Sequence, residues 1–345
     1  YIFADQFKLS QGNQFIQLQS SNEGKDMELK FNAFNLHTLS QIIEDRDTLL
    51  VQGILDGDIQ LKNFHVNPAF TSKLNIKDLT YKNSRVGNLK ISADNLTADR
   101  YTARIDLIDS LNKASISGYY LSSNETSALH FDANVESIQL NLLDAFSGGQ
   151  IQGSTGIVEG SIAITGALKK PIFNGELKFI DASTKVAFMN QRLYMKKETI
   201  TINPENVTFN SFNIKDSLNN EAIINGNVGI KEFDNLTFNL SVSTNDFMIL
   251  NTTQINNKLY YGKVILDSKI SIKGDQNLPV IKADVDIVKG SHFTFSVPDS
   301  KVNVDRGDGI IIFTSDSSSL DPIMLRQNET IVSKKITGID LSAKI

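Results

Sequence analysis

The sequence contains no cysteine and no tryptophan. The first absence excludes disulfides and thiolate metal sites. The second removes the buried indole that anchors many immunoglobulin-like cores. Histidine is scarce: His37, His65, His130 and His292 are the only four. None lies three or four residues from another, so no local metal-ligand pair is written. Proline is scarce too, with six in 345 residues, and those six sit near segment ends and turns. No apolar run approaches the ~20 residues of a membrane-spanning helix. Neither charge sign dominates: 34 Lys and Arg face 39 Asp and Glu, a net charge of -5 without blocks. The absence of a basic stripe argues against nucleic acid as a partner. No glycine-rich phosphate loop opens a helix and no Walker lysine follows one. Asp56-Gly57-Asp58 and the Arg306-Gly307-Asp308 triplet read as tight turns. The sequence therefore reads as a non-enzyme without cofactor or metal.

What is present is alternation, from end to end. In "GKVILDSKISIKG", residues 262–274, Val264, Leu266, Ile270 and Ile272 share one parity, and only Ser268 breaks the row. The other parity is polar except for Ile265. Period two marks a strand with one apolar and one wet face. The pattern recurs at Leu129, Phe131 and Val135; Ile162 and Ile164; Leu177 and Phe179; Val207 and Phe209; Leu236, Phe238, Leu240 and Val242. Gly, Asn and Asp punctuate these sets. At about 12 residues per strand and turn, the chain predicts an antiparallel meander of roughly 28 strands.

Helical spacing appears at residues 36–43 and 139–147, and more weakly at 245–257. Each such segment precedes glycines and then a proline: Pro68, Pro171 and Pro279. That spacing implies units of about 105 residues, at 34–137, 138–244 and 245–345. No linker separates them, so one sheet is expected to run through all three.

Two architectures can hide so long an apolar face. One is a row of closed β-sandwiches, an adhesin-like structural rod. The other is an all-β fold in which one continuous antiparallel sheet, with a few short helices, curls into an apolar groove. Periodicity alone leaves both open. Two modification patterns also occur. The sequons at Asn95, Asn206 and Asn235 are what an Asn- and Thr-rich composition produces. Asp-Ser/Thr-Leu at Asp47, Asp109 and Asp216 resembles a Bacteroidetes O-glycosylation sequon, which makes Thr48, Ser110 and Ser217 candidates.

Residues 245–275, "NDFMILNTTQINNKLYYGKVILDSKISIKGD", resemble a signature stretch of TamB-like proteins of Bacteroidetes type. The resemblance is carried by Asn245 to Thr253, with Asp246 inserted, and by Tyr260, Tyr261 and Gly262. Gly160, Gly166, Pro171 and Gly175 resemble the family's repeat, and the tail from Ser317 resembles the approach to its C-terminal region. The resemblance implies a repeating β-groove related to AsmA-like and bridge-like lipid transfer proteins. It implies a periplasmic protein anchored in the inner membrane, with an outer-membrane barrel of the Omp85 type as partner through a C-terminal region missing here. It implies phospholipid as cargo and support of outer-membrane biogenesis, or an assembly role in which the groove edge pairs with nascent strands. On that reading the apolar residues named above line a lipid groove.

Overall fold

The computed structural model describes residues 6–38, 50–63, 68–97, 99–122, 128–231, 235–296 and 340–344. Among the described residues nineteen strands form one sheet. Each strand from β1 (Phe7–Gln11) to β17 (Pro279–Ile287) pairs antiparallel with the next. β18 (His292–Phe295) pairs with the start of β16 (Tyr260–Asp275), and β19 (Asp340–Lys344) lies parallel to β17. The fold is all-β: an open sheet curled along its length into an apolar groove.

Among the described residues the strands are longer than the expected ~12 residues per strand and turn, and so fewer. β10 (Ile151–Ala167) and β11 (Lys170–Val186) each have 17 residues, and β15 (Thr237–Thr252) and β16 each have 16. At about 4.8 Å per strand, the groove is about 80 Å long before twist. Three local expectations also fail. Residues 245–252 are strand, within β15, rather than helix. Asp56-Gly57-Asp58 lies inside β4 (Val51–Lys62), not in a turn. The parallel β19 breaks an otherwise antiparallel order. Helix α1 (Asn141–Asp144) falls within the expected 139–147 segment, and residues 36–38 are helical. Residues 39–43, Thr48, His65 and the 306–308 triplet lie outside the described residues.

The curl has a local cause. Six strands running in the same direction carry one extra residue near their ends, two opposing one on the partner: β3 (Asp26–Asn35), β5 (Ala69–Tyr81), β9 (Ala128–Gln139), β11, β13 (Asn206–Lys215) and β15. In five of them the extra residue takes a left-handed conformation: Ala33, Asp78, Asp181, Ser211 and Asp246, with φ between 44° and 50°. A bulge of this kind bends its strand and flips the parity of the residues beyond it. Thus Phe31 and Phe34 both face the groove, as do Phe209 and Phe212, although each pair is three apart. Because the six strands run one way, the bulges line up along one rim.

An acceptor on the neighbouring strand holds four of these residues. Ala33, Asp78, Ser211 and Asp246 donate their backbone N–H groups to Asp56 (2.7 Å), Asn88 (2.9 Å), Asn225 (2.7 Å) and Asp267 (2.6 Å). The bulge frees a ladder donor, and a short polar side chain satisfies it.

Candidate functional site

Beyond the bulge line the sheet closes on itself. Leu140, Val158, Ala182, Met195 and Phe212 form a buried cluster, with Leu177, Phe179, Phe209 and Ile224 packed against it. Phe212 meets Phe179 and Phe209 edge-on, with centroids 5.8 and 5.5 Å apart. The hairpin tip between β11 and β12 (Gln191–Ile202) reaches across to β15 and β16. There Asn190 Nδ2 donates to the Asn251 carbonyl (2.6 Å), and the Tyr260 hydroxyl donates to the Phe188 carbonyl (3.0 Å). Further along the same rim, Phe146 stacks on Tyr81 of β5 at 4.6 Å. Apart from Ile202, every buried apolar residue among those described lies at or beyond the bulge line.

The other half of the strands stays open. Here burial alternates along each strand, half-buried on the apolar parity and exposed on the polar one, as in Ala128–Gln139 and Pro171–Phe179. Register carries one face across the sheet. Leu129, Phe131 and Val135 oppose Gly166, Ile164 and Gly160. Ile164 opposes Phe173, and Gly160 opposes Leu177, which opposes Ile200. Val207 and Phe209 continue the face, then Leu240 and Val242 opposite Ile272 and Ile270. Phe238 opposes Gly274, and Leu250 opposes Val264. Ile162, Phe179, Phe238 and Leu236 are half-buried like the rest. Of the seventeen apolar residues read from the sequence as lining, only Leu266 is fully buried, at 8% exposure.

Glycines set how closely the strands approach. Gly160 has φ +153°, and a Cβ there would run into the Glu176 carbonyl oxygen. Val135 and Leu177 flank Gly160 from the two neighbouring strands. Phe209 and Leu240 flank Gly226 in the same way. A small residue between two large ones lets adjacent strands coil tightly.

The first third of the sheet carries the same face, through Leu29, Phe31, Ile59, Leu74, Ile91, Ile105 and Ile116. The site residues named from the sequence omit it. Its alternation, for example "KLNIKD" at residues 73–78, was available as a signal. Ser268, which interrupts its row, is buried on this face and shares a hydrogen bond with Thr244 (2.8 Å). Ile265, out of place on the wet parity, forms a buried cross-strand pair with Met248. Among the described residues no group of three or more His, Asp or Glu is placed to hold a metal ion. No helix among them is long and apolar enough to cross a membrane.

The modification candidates sit differently. Ser110 and Ser217 are exposed in the turns after β7 (Arg100–Ile108) and β13. Asn95 is 4% exposed, its amide bonded to the Phe70 N–H and the Pro68 carbonyl, which leaves no room for a glycan.

Residues 210–344 match the TamB C-terminal domain. The match covers the C-terminal part of the chain, 135 of its 345 residues, and supports a place in the TamB family. The match begins within β13 and takes in the β15–β16 ladder, where Asp246, the residue inserted in the signature stretch, is the bulge residue of β15. The tail from Ser317, read as an approach to the family's C-terminal region, lies inside the matched domain. No curated protein and no solved structure matches the chain. TamB proteins work with outer-membrane partners, in protein assembly and lipid transport.

Proposed function

We propose that this TamB chain is part of a conduit that shelters phospholipid acyl chains on their way between the inner and outer membranes. The observation that carries this reading is the apolar face that register carries from β2 to β17, half-buried over most of its length while the alternate parity is mostly polar. A closed sandwich would bury that face fully. An acyl chain crossing water must keep its methylenes dry, at about 0.8 kcal/mol per CH₂, or on the order of 12 kcal/mol for 16 carbons. A face that repeats strand by strand gives that shelter without one deep trap. The bulged rim forms the closed wall, and head groups travel in water along the open rim. On this reading the protein is periplasmic, anchored in the inner membrane, and meets an Omp85-type barrel. It performs no chemistry. Lipid extraction of the purified chain, followed by mass spectrometry, tests it: phospholipid at one or more per chain supports the reading, and none argues against it.

A second reading is favoured by β1. All five of its residues are exposed, and among the described residues it pairs only with β2 (Gln14–Ser21). An unpaired edge can take a nascent outer-membrane strand by β-augmentation. Crosslinking at Lys8 to unfolded barrel strands, but not to lipid, would favour this reading.

A further inference from the structure

The rim where the β11–β12 hairpin meets β16 and β18 is rich in basic residues. Three segments converge there. Residues 182–197 carry Lys185, Arg192, Lys196 and Lys197; residues 247–266 carry Lys258 and Lys263; residues 287–296 carry Lys289 and His292. None of the three contains an Asp or Glu, in a chain whose net charge is -5. They are joined by the Asn190–Asn251 and Phe188–Tyr260 hydrogen bonds and by the pairing of residues 260–263 with 292–295.

Basic residues also face each other here. Lys185 lies opposite Arg192, and Lys263 opposite His292. The like charges of Lys185 and Arg192 directly across a ladder destabilise it. Among the described residues, none of Lys185, Arg192, Lys258, Lys263 or Lys289 pairs with a carboxylate.

The same rim exposes large apolar side chains. Ile255 is 94% exposed and Phe188 61%, each at the tip of its loop; Phe293 and Phe295 stand at 57%. Tyr260 and Tyr261 flank them. Apolar tips, flanking tyrosines and unpaired lysines are the combination that seats a protein at an anionic bilayer surface.

We propose that this rim docks on an anionic membrane surface, with Phe188 and Ile255 entering the interface and the lysines facing lipid phosphates. The inference does not depend on lipid occupying the groove: vesicle binding reads the rim, and extracted lipid reads the groove.

Flotation of the whole chain with phosphatidylglycerol-containing vesicles, against phosphatidylcholine alone, tests it. The chain is expected to float with the anionic vesicles and to lose binding at high salt. Each basic residue near such a surface is worth about fivefold in affinity. Loss of the three positive charges alone is worth about a hundredfold, so the Lys258→Glu, Lys263→Glu, Lys289→Glu protein is expected to bind at least that much more weakly. Lys73→Glu, Lys90→Glu, Lys113→Glu makes the same charge change at exposed sites elsewhere on the sheet and is expected to keep binding. Phe188→Ser with Ile255→Ser removes only exposed side chains, since the Phe188 carbonyl makes the bond to Tyr260, and is expected to weaken binding to both vesicle types. The proposal is overturned if the parent does not prefer anionic vesicles, if the control triple variant loses as much as the rim variant, or if the double Ser variant binds like the parent.

Discussion

Ala33 donates its backbone N–H to the Asp56 carboxylate across the β3–β4 ladder, at 2.7 Å. That contact holds the left-handed residue that turns Phe34 into the groove. The Ala33 N–H holds the Asp56 carboxyl below the usual carboxylate range; burial opposes it and the Lys77 ammonium, 3.3 Å away, assists. A carboxylate held low contributes stability above its unfolded value of about 3.9, and the contribution fades as pH falls through its folded value. Asp56→Asn keeps an acceptor but removes the charge. Its melting temperature should fall below the parent's at neutral pH, and the gap should close below about pH 4. A gap that does not change with pH would contradict this account of the bulge.

Gly160 tests how tightly the sheet is coiled. Gly160→Val places a Cβ against the Glu176 carbonyl and a branched residue at φ +153°, and should destabilise by several kcal/mol, on the order of the largest single-substitution effects. Gly148, at φ +62° with nothing within 4 Å of its added Cβ, provides the comparison. Gly148→Ala should cost only about 1 kcal/mol of backbone strain. Chemical denaturation of both variants measures the difference.

The two halves of the groove should respond differently to truncation. Phe212, 4% exposed within the buried cluster, should cost about 3–5 kcal/mol as Phe212→Ala. Ile272, half-buried on the open half, should cost less than the roughly 2–5 kcal/mol typical of a fully buried Ile→Ala. Equal losses would mean that the open half is packed like a core.

The alternation itself is plain in the sequence, because a strand with one wet face must repeat every two residues. "GKVILDSKISIKG" forms β16 with its parities as read. The bulges are not legible there. Three of the bulge residues are Asp, but Ala33 and Ser211 are not and most Asp residues of the chain are not bulged, and four of the five are marked by a partner ten to twenty-three residues away. A parity slip such as Phe209 to Phe212 looks locally like a broken pattern. The "NDFMILNTT" segment reads as weakly helical because the bulge at Asp246 shifts its apolar residues off period two. Gly57 looks like turn chemistry; its neighbours Leu74 and Phe31, which explain it, lie on other strands.

Phe238→Arg separates groove from core. Phe238 is half-buried opposite Gly274. In a closed core the unpaired charge would cost several kcal/mol. On the open half the guanidinium reaches water along its own stem. The variant should keep the parent's strand circular-dichroism signal and its melting transition within a few degrees. Unfolding would contradict the open groove.

The most direct measurement is native mass spectrometry of the parent beside Phe238→Arg, with lipid extraction of both. The conduit account predicts phospholipid-sized mass increments on the parent and fewer on a folded Phe238→Arg protein. A parent that carries no lipid, or a folded variant that carries as much as the parent, would contradict it.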